Sequence, residues 1–207
     1  MEKFETIKKY YESKMGKGLP DYGVLGWESQ EAQDLRFEIL ASSVELEGKS
    51  LLDVGCGMGN LFRFLGSKNY HVAYTGVDIL ESMTEQARLK NPGAEIHHAD
   101  LFKTNIFAGR TFDFVYASGI FNLDLGNNRE FLHRALELML DLSREAVVFN
   151  LLHRDSPDRE DGYSYFHPDE VRSMVECMQE KIERLEIIEN YLHNDFTVIC
   201  RKAPKTR

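Results

Sequence analysis

Cysteine is scarce in this chain. The 207 residues hold three, Cys56, Cys177 and Cys200, scattered and odd in number, which gives no basis for a disulfide framework or a zinc site of paired ligands. No apolar run approaches membrane-spanning length, and the N-terminal "MEKFETIKKYYESK" lacks the apolar core of a signal peptide. Positive charge is also short: 25 Lys and Arg face 34 Asp and Glu, and a formal charge of −9 repels a phosphate backbone, so nucleic acid is disfavoured as a substrate. Repeats and low-complexity segments are absent. These deficits together leave a soluble protein of a reducing cytoplasm as the expectation, with no membrane partner and an oligomeric state that composition does not address.

What is present suffices for one full core, since 43% of the residues are hydrophobic and the length suits a single domain. Short apolar runs alternate with longer stretches of helical period, the pattern of a mostly parallel sheet covered by helices on both faces. Strands are predicted at about 50–54, 72–78, 94–99, 112–117, 145–152, 182–191 and 195–202. Helices are predicted over 80–90, with Leu80, Met83 and Ala87 on one face, and over 129–142. Only "LHND" joins the last two strands, which is too short for a crossover helix and predicts an antiparallel edge hairpin. Ahead of the sheet, Phe4, Ile7 and Tyr11 mark one amphipathic stretch and Ala32, Leu35 and Ile39 another, both expected against the sheet's flank. One domain over 1–207 follows, with a helical cap or lid over 1–45 and a cofactor-binding core over 46–207.

The stretch "LLDVGCGMGN" at 51–60 follows the first predicted strand. It lacks the Gly-Lys-Ser/Thr ending of a phosphate-binding loop, so no lysine reaches a phosphate. Its glycines, Gly55, Gly57 and Gly59, fall short of the G-x-G-x-x-G spacing of dinucleotide loops, and Asp53 would repel a nearby pyrophosphate. A cofactor carrying an ammonium suits that aspartate better. Asp78 ends the next strand 19 residues after Gly59, where a carboxylate can accept from both ribose hydroxyls of an adenosine, and Asp100 follows the third strand. All three lie at the carboxyl ends of successive strands, the edge at which open α/β sheets bind ligands.

"LLDVGCGMGNLFRFL", "GVDILESMTEQAR", "HHADLF" and "FDFVYASGIFN" resemble motifs I to IV of the class I S-adenosylmethionine-dependent methyltransferases. The resemblance implies a Rossmann-like seven-stranded sheet of order 3-2-1-4-5-7-6 with the last strand antiparallel. It implies S-adenosylmethionine as cofactor and S-adenosylhomocysteine as product. Carried over, Asp53, Gly55, Gly57 and Gly59 line the methionine moiety, with Cys56 and Ser118 in the same pocket. Asp78 binds the ribose, Ile79 packs on the adenine, and Asp100 with the Leu101 backbone reads its amino group. The implied activity is methyl transfer to a small-molecule acceptor. Two rivals stay open: a nucleotide-dependent oxidoreductase, against which the glycine spacing argues, and a cofactor-binding accessory protein without turnover.

Methyl transfer from a sulfonium is an in-line displacement whose activation is carried by the cofactor, so a catalytic base is optional. Family members that methylate base amino groups carry Asn/Asp-Pro-Pro-Tyr/Phe after the fourth strand, whereas this chain has "ASGIFNLD" at 117–124. Asp124 alone does not make a metal site, and His97 and His98, neighbours in a strand, point to opposite faces, so no metal is expected. Asn122, His153 and His193 are the catalytic candidates. Phe121, Tyr163, Tyr165, Asn194 and Asp195 are substrate-side candidates from loops at the same edge. Tyr22 and Trp27, on the long N-terminal loop, are lid candidates, and Arg36 is a candidate partner for a carboxylate of cofactor or substrate.

Overall fold

In the computed structural model, which describes residues 2–202, β1 (Ser50–Val54) lies inside a seven-stranded sheet of order β3-β2-β1-β4-β5-β7-β6. The others are β2 (Ala73–Asp78), β3 (Glu95–His98), β4 (Phe112–Ala117), β5 (Ser143–Leu152), β6 (Ile182–Leu192) and β7 (Asp195–Lys202). The first five run parallel, while β7 pairs antiparallel with both β5 and β6. The predicted order, the antiparallel last strand and the closing hairpin are all present, with His193 and Asn194 at the turn. Met1 and 203–207, included in the expected domain, lie outside the described residues. No helix among the described residues is long and apolar enough to cross a membrane.

The pleat sorts the core into two layers, because successive side chains of a strand face opposite ways. Leu52, Val54, Val115, Ala117, Val147 and Phe149 meet α6 (Asn128–Leu142) and α7 (Pro168–Glu176) on one face. Leu51, Phe114, Tyr116, Ala146 and Val148 meet α3 (Gln30–Ser43) and α4 (Asn60–Ser67) on the other. Helix α5 (Glu81–Lys90) buries Met83 and Ala87 as its period predicts. Helix α7 was not anticipated from the charged 153–168 stretch; His167 caps it, its Nδ1 accepting from the Asp169 amide at 3.2 Å, and Pro168 begins its first turn.

Both N-terminal helices depart from expectation. The buried face of α3 is Ala32, Gln33, Arg36, Phe37 and Leu40; of the three expected positions Ala32 is buried, while Leu35 and Ile39 are only half-buried, because two polar side chains on that face find partners inside. Helix α1 (Glu2–Glu12) does not lie on the sheet's flank. Ile7 and Tyr11 pack with Met58, Leu80 and Met83 over the carboxyl edge, and Phe4 stays exposed. A short helix, α2 (Asp21–Val24), continues this cap, and Asp21 anchors it by accepting from Arg63 of α4 at 2.6 Å and from Lys90 of α5. Burial would raise the Asp21 pKa, but the hydrogen bonds and charges of Lys90 and Arg63 outweigh it and hold the carboxyl below its ordinary value.

Candidate active site

The sheet order reverses beside β1, between β1 and β4, and that switch point opens a crevice at the strands' carboxyl ends. The glycine loop fills its floor. The amides of Gly55 and Cys56 both donate to the Val77 carbonyl, at 2.8 and 3.1 Å, which binds the loop to β2. Gly55 has φ +76°, and a Cβ there would fall 2.2 Å from Ile120 Cγ2, so only glycine lets the loop after β4 approach. Gly59 does not line the crevice. At φ +73° it starts α4, where a Cβ would meet the Asn91 amide at 2.5 Å, so its part is the packing of α4 against the end of α5.

Two carboxylates face this loop. Asp78 is held by backbone, accepting from the Gly57 amide at 2.9 Å through Oδ2 and from the Leu80 amide at 2.9 Å through Oδ1. Burial pushes its pKa up, opposed by those same amides. Asp53 is 4% exposed and accepts from the Tyr74 hydroxyl at 2.7 Å. Burial pushes its carboxyl up to about 7, the Tyr74 hydrogen bond opposes the rise, and the Asp78 charge adds to it. A buried carboxylate in this state gains most from a cationic neighbour. Burial likewise pushes the Cys56 thiol well above its ordinary value, which makes it a small packing residue rather than a nucleophile.

The cavity over the loop is lined by Asp53, Gly55, Cys56, Gly57, Asp78, Ile79, Asp100, Leu101 and Ser118, so nine of the ten residues expected at a cofactor share one space. Its far wall comes from residues the sequence did not single out for the site. Tyr10, Tyr11, Leu25 and Gln33 arrive from the cap and α3, and Ile120 and Phe131 from beyond β4. The only signal for Tyr11 was its place on the amphipathic face of α1. The Tyr10 and Tyr163 hydroxyls lie 2.5 Å apart and tie α1 to the loop after β5.

A second cavity of about 500 Å³ adjoins the first and shares Gly26, Trp27, Asn122 and Tyr163 with it. Tyr165, His193, Asn194 and Arg36 also line it. The loops meet here through main chain: the Ser164 amide donates to the Asn122 carbonyl at 2.7 Å, and Leu123 bridges Tyr163.

Several candidates are corrected. Arg36 is 3% exposed, and its guanidinium serves Asp195 and, at 2.6 Å, the Ala32 carbonyl, while Trp27 covers it with the ring centroid 4.2 Å away. It is therefore not free for a ligand carboxylate. Asp195 is buried with it, accepts from Asn150 Nδ2 at 2.8 Å and lines neither cavity. Phe121 is fully buried against Phe131 and Phe149. His153 lines neither cavity; its Nδ1 accepts from the Asp155 amide at 3.0 Å and its Nε2 lies 3.3 Å from Glu189. Tyr22 also stands outside both. His97 and His98 diverge as strand neighbours must, toward Glu95 and the Ile79 carbonyl.

Residues 51–142 match the family described as "Methyltransferase domain". Over 160 residues the chain is 29% identical to Rv1506c of Mycobacterium tuberculosis, a protein named as a methyltransferase, covering 74% of this chain and 93% of that one. Among solved structures, magnesium protoporphyrin IX methyltransferase of Synechocystis PCC 6803 with bound SAM superposes with a TM-score of 0.68 at 16% identity, covering 98% of each chain. The N-methyltransferase NodS of Bradyrhizobium japonicum, in complex with S-adenosyl-L-homocysteine, gives 0.65 at 13% identity over 97% of this chain and 98% of that one. Residues 51–142 thus match a methyltransferase domain, and the whole chain takes the fold of these solved S-adenosylmethionine-dependent methyltransferases.

Proposed function

We propose that this protein transfers a methyl group from S-adenosylmethionine to a small-molecule acceptor, as a single domain in which α1 and α2 form the cap, while α3, expected within a cap over 1–45, packs on the sheet as part of the core. The observation that carries the reading is the convergence of Asp53, Asp78 and Asp100 with the glycine loop on one cavity. The donor set fits the cofactor's chemistry. Asp53, buried and near neutrality, suits the ammonium of the methionine moiety, and the fixed Asp78 carboxylate suits a pair of ribose hydroxyls. Ile79 and Leu101 offer apolar surface to an adenine beside Asp100.

The cofactor, when bound, supplies an activated methyl on a sulfonium. The chain's work is to align the acceptor and exclude water. Tyr11, Leu25 and Ile120 would close the cofactor's side, while Trp27, Asn122 and Tyr163, common to both cavities, would stand where acceptor and methyl meet. The first cavity holds about 160 Å³ in this closed arrangement.

Calorimetric titration with S-adenosylmethionine, S-adenosylhomocysteine and NAD, repeated on Asp78→Ala, tests the reading. Saturable binding of the first two, lost in the variant, is expected. Binding of NAD alone would return the loop to the dinucleotide class.

A further inference from the structure

The second cavity has a chemical bias of its own. Its rim carries the exposed carboxylates Glu28, Asp158 and Glu160, and its lining includes the rings of Trp27, Tyr163 and Tyr165. Against these carboxylates stand few positive charges. Arg36 is neutralised by Asp195, and the Lys14 ammonium donates to the Tyr10 hydroxyl at 2.8 Å and lies over the Tyr10 ring at 3.9 Å. His193 lies 3.3 Å from Asp158.

A second, independent observation points the same way. Asn122 is 9% exposed and lines both cavities, yet its amide oxygen accepts no hydrogen bond. The amide oxygen of Asn194, another residue of the second cavity's lining, is also buried without a donor. Such oxygens are costly to leave unpaired, and a ligand rich in N–H or O–H donors removes that cost once the side-chain amide turns its oxygen into the cavity. Acceptor oxygens, carboxylates and aromatic faces together form an environment that favours an ammonium over an acid or a phenolate.

We propose that the second cavity is the acceptor site and that the acceptor is a small polar amine, docked as its ammonium between Trp27, Tyr163 and the Glu28, Asp158 and Glu160 rim. The inference rests on the methyltransferase reading above. The ammonium first releases a proton to water at the open rim. The nitrogen lone pair then forms the new N–C bond to the methyl as the C–S electron pair leaves with sulfur, giving the N-methyl ammonium and a neutral thioether.

The test is saturation-transfer NMR on the intact protein with saturating S-adenosylhomocysteine, using a fragment set of small amines, their isosteric alcohols and matched carboxylic acids. It is repeated on Glu28→Gln/Glu160→Gln, and the amines that bind are then incubated with methyl-labelled S-adenosylmethionine. Amines are expected to dominate the binders, to weaken about tenfold in the double variant while the S-adenosylhomocysteine Kd stays unchanged, and to yield N-methyl product. Binders drawn mainly from the acids or alcohols, no amine binding at millimolar concentration, or amine binding indifferent to the variant would each overturn the assignment. Failure of S-adenosylhomocysteine itself to bind would instead sink the cofactor reading.

Discussion

The Tyr10 and Tyr163 hydroxyls, 153 positions apart in sequence, meet at 2.5 Å and join α1 to the loop that also shapes the second cavity. Burial pushes the Tyr163 hydroxyl well above its ordinary pKa, and the contact with Tyr10 adds to the rise, so Tyr163 enters the link as a neutral phenol. A net hydrogen bond of this kind contributes about 1 kcal/mol. Tyr10→Phe is therefore expected to weaken S-adenosylhomocysteine binding by about fivefold through a looser cap and to raise amide exchange over α1. Unchanged Kd and unchanged exchange would remove the latch.

Gly55 gives a sharper outcome. Gly55→Ala places a methyl into Ile120 on a left-handed backbone, so at least about 1 kcal/mol of backbone strain adds to the clash. The variant is expected to melt lower and to bind no S-adenosylhomocysteine. Pairing it with Ile120→Ala should restore part of the binding, since the clash goes and the strain stays.

Asp53 predicts a pH dependence. Its carboxyl titrates at about 7 in the fold and near about 4 in the unfolded chain, so between those values the native state holds a proton that the unfolded state has released. Stability falls as pH rises through that window and levels off above it. Denaturant titration of Asp53→Asn should show a flatter profile over the same range; an identical slope would contradict the assignment.

The buried pair Arg36 and Asp195 predicts an asymmetry between single and double variants. Asp195→Ala leaves the guanidinium desolvated and unpaired and should cost about 3 kcal/mol or more, whereas Arg36→Met with Asp195→Leu should cost much less. Equal losses in the two proteins, read by chemical denaturation, would mean the pair adds nothing beyond packing.

The salt link from Asp21 to Arg63 and Lys90 predicts acid sensitivity of the cap. Its lowered carboxyl pKa contributes stability above the ordinary carboxylate value that is lost as pH falls through the lowered one. Proteolysis within the N-terminal segment should therefore begin at higher pH in Asp21→Asn than in the parent.

Strand positions and the cofactor loop were legible in the chain because both are local. Short apolar runs such as "FDFVYA" and the spacing of Asp53, Gly55, Gly57 and Asp78 need only neighbouring residues and a parallel pair to acquire meaning. The buried face of α3 was not legible. Arg36 read as a partner for a ligand carboxylate and Gln33 carried no signal, until Asp195 and, at 2.7 Å, Asn60 supply their partners from a distant strand and helix. Helix α1 likewise showed its apolar stripe but not its seat, since Met58, Leu80 and Met83 come from two other elements. The sequence by itself determined the strand positions, the glycine turn and the three strand-end carboxylates, because pleat period and backbone conformation are properties of short segments, whereas the sheet order was implied by the resemblance to the methyltransferase family. Only the tertiary structure decided which charges cancel, which histidines face a cavity and which aromatic rings close it, because burial, and with it the cost of an unpaired polar group, exists only once distant segments pack.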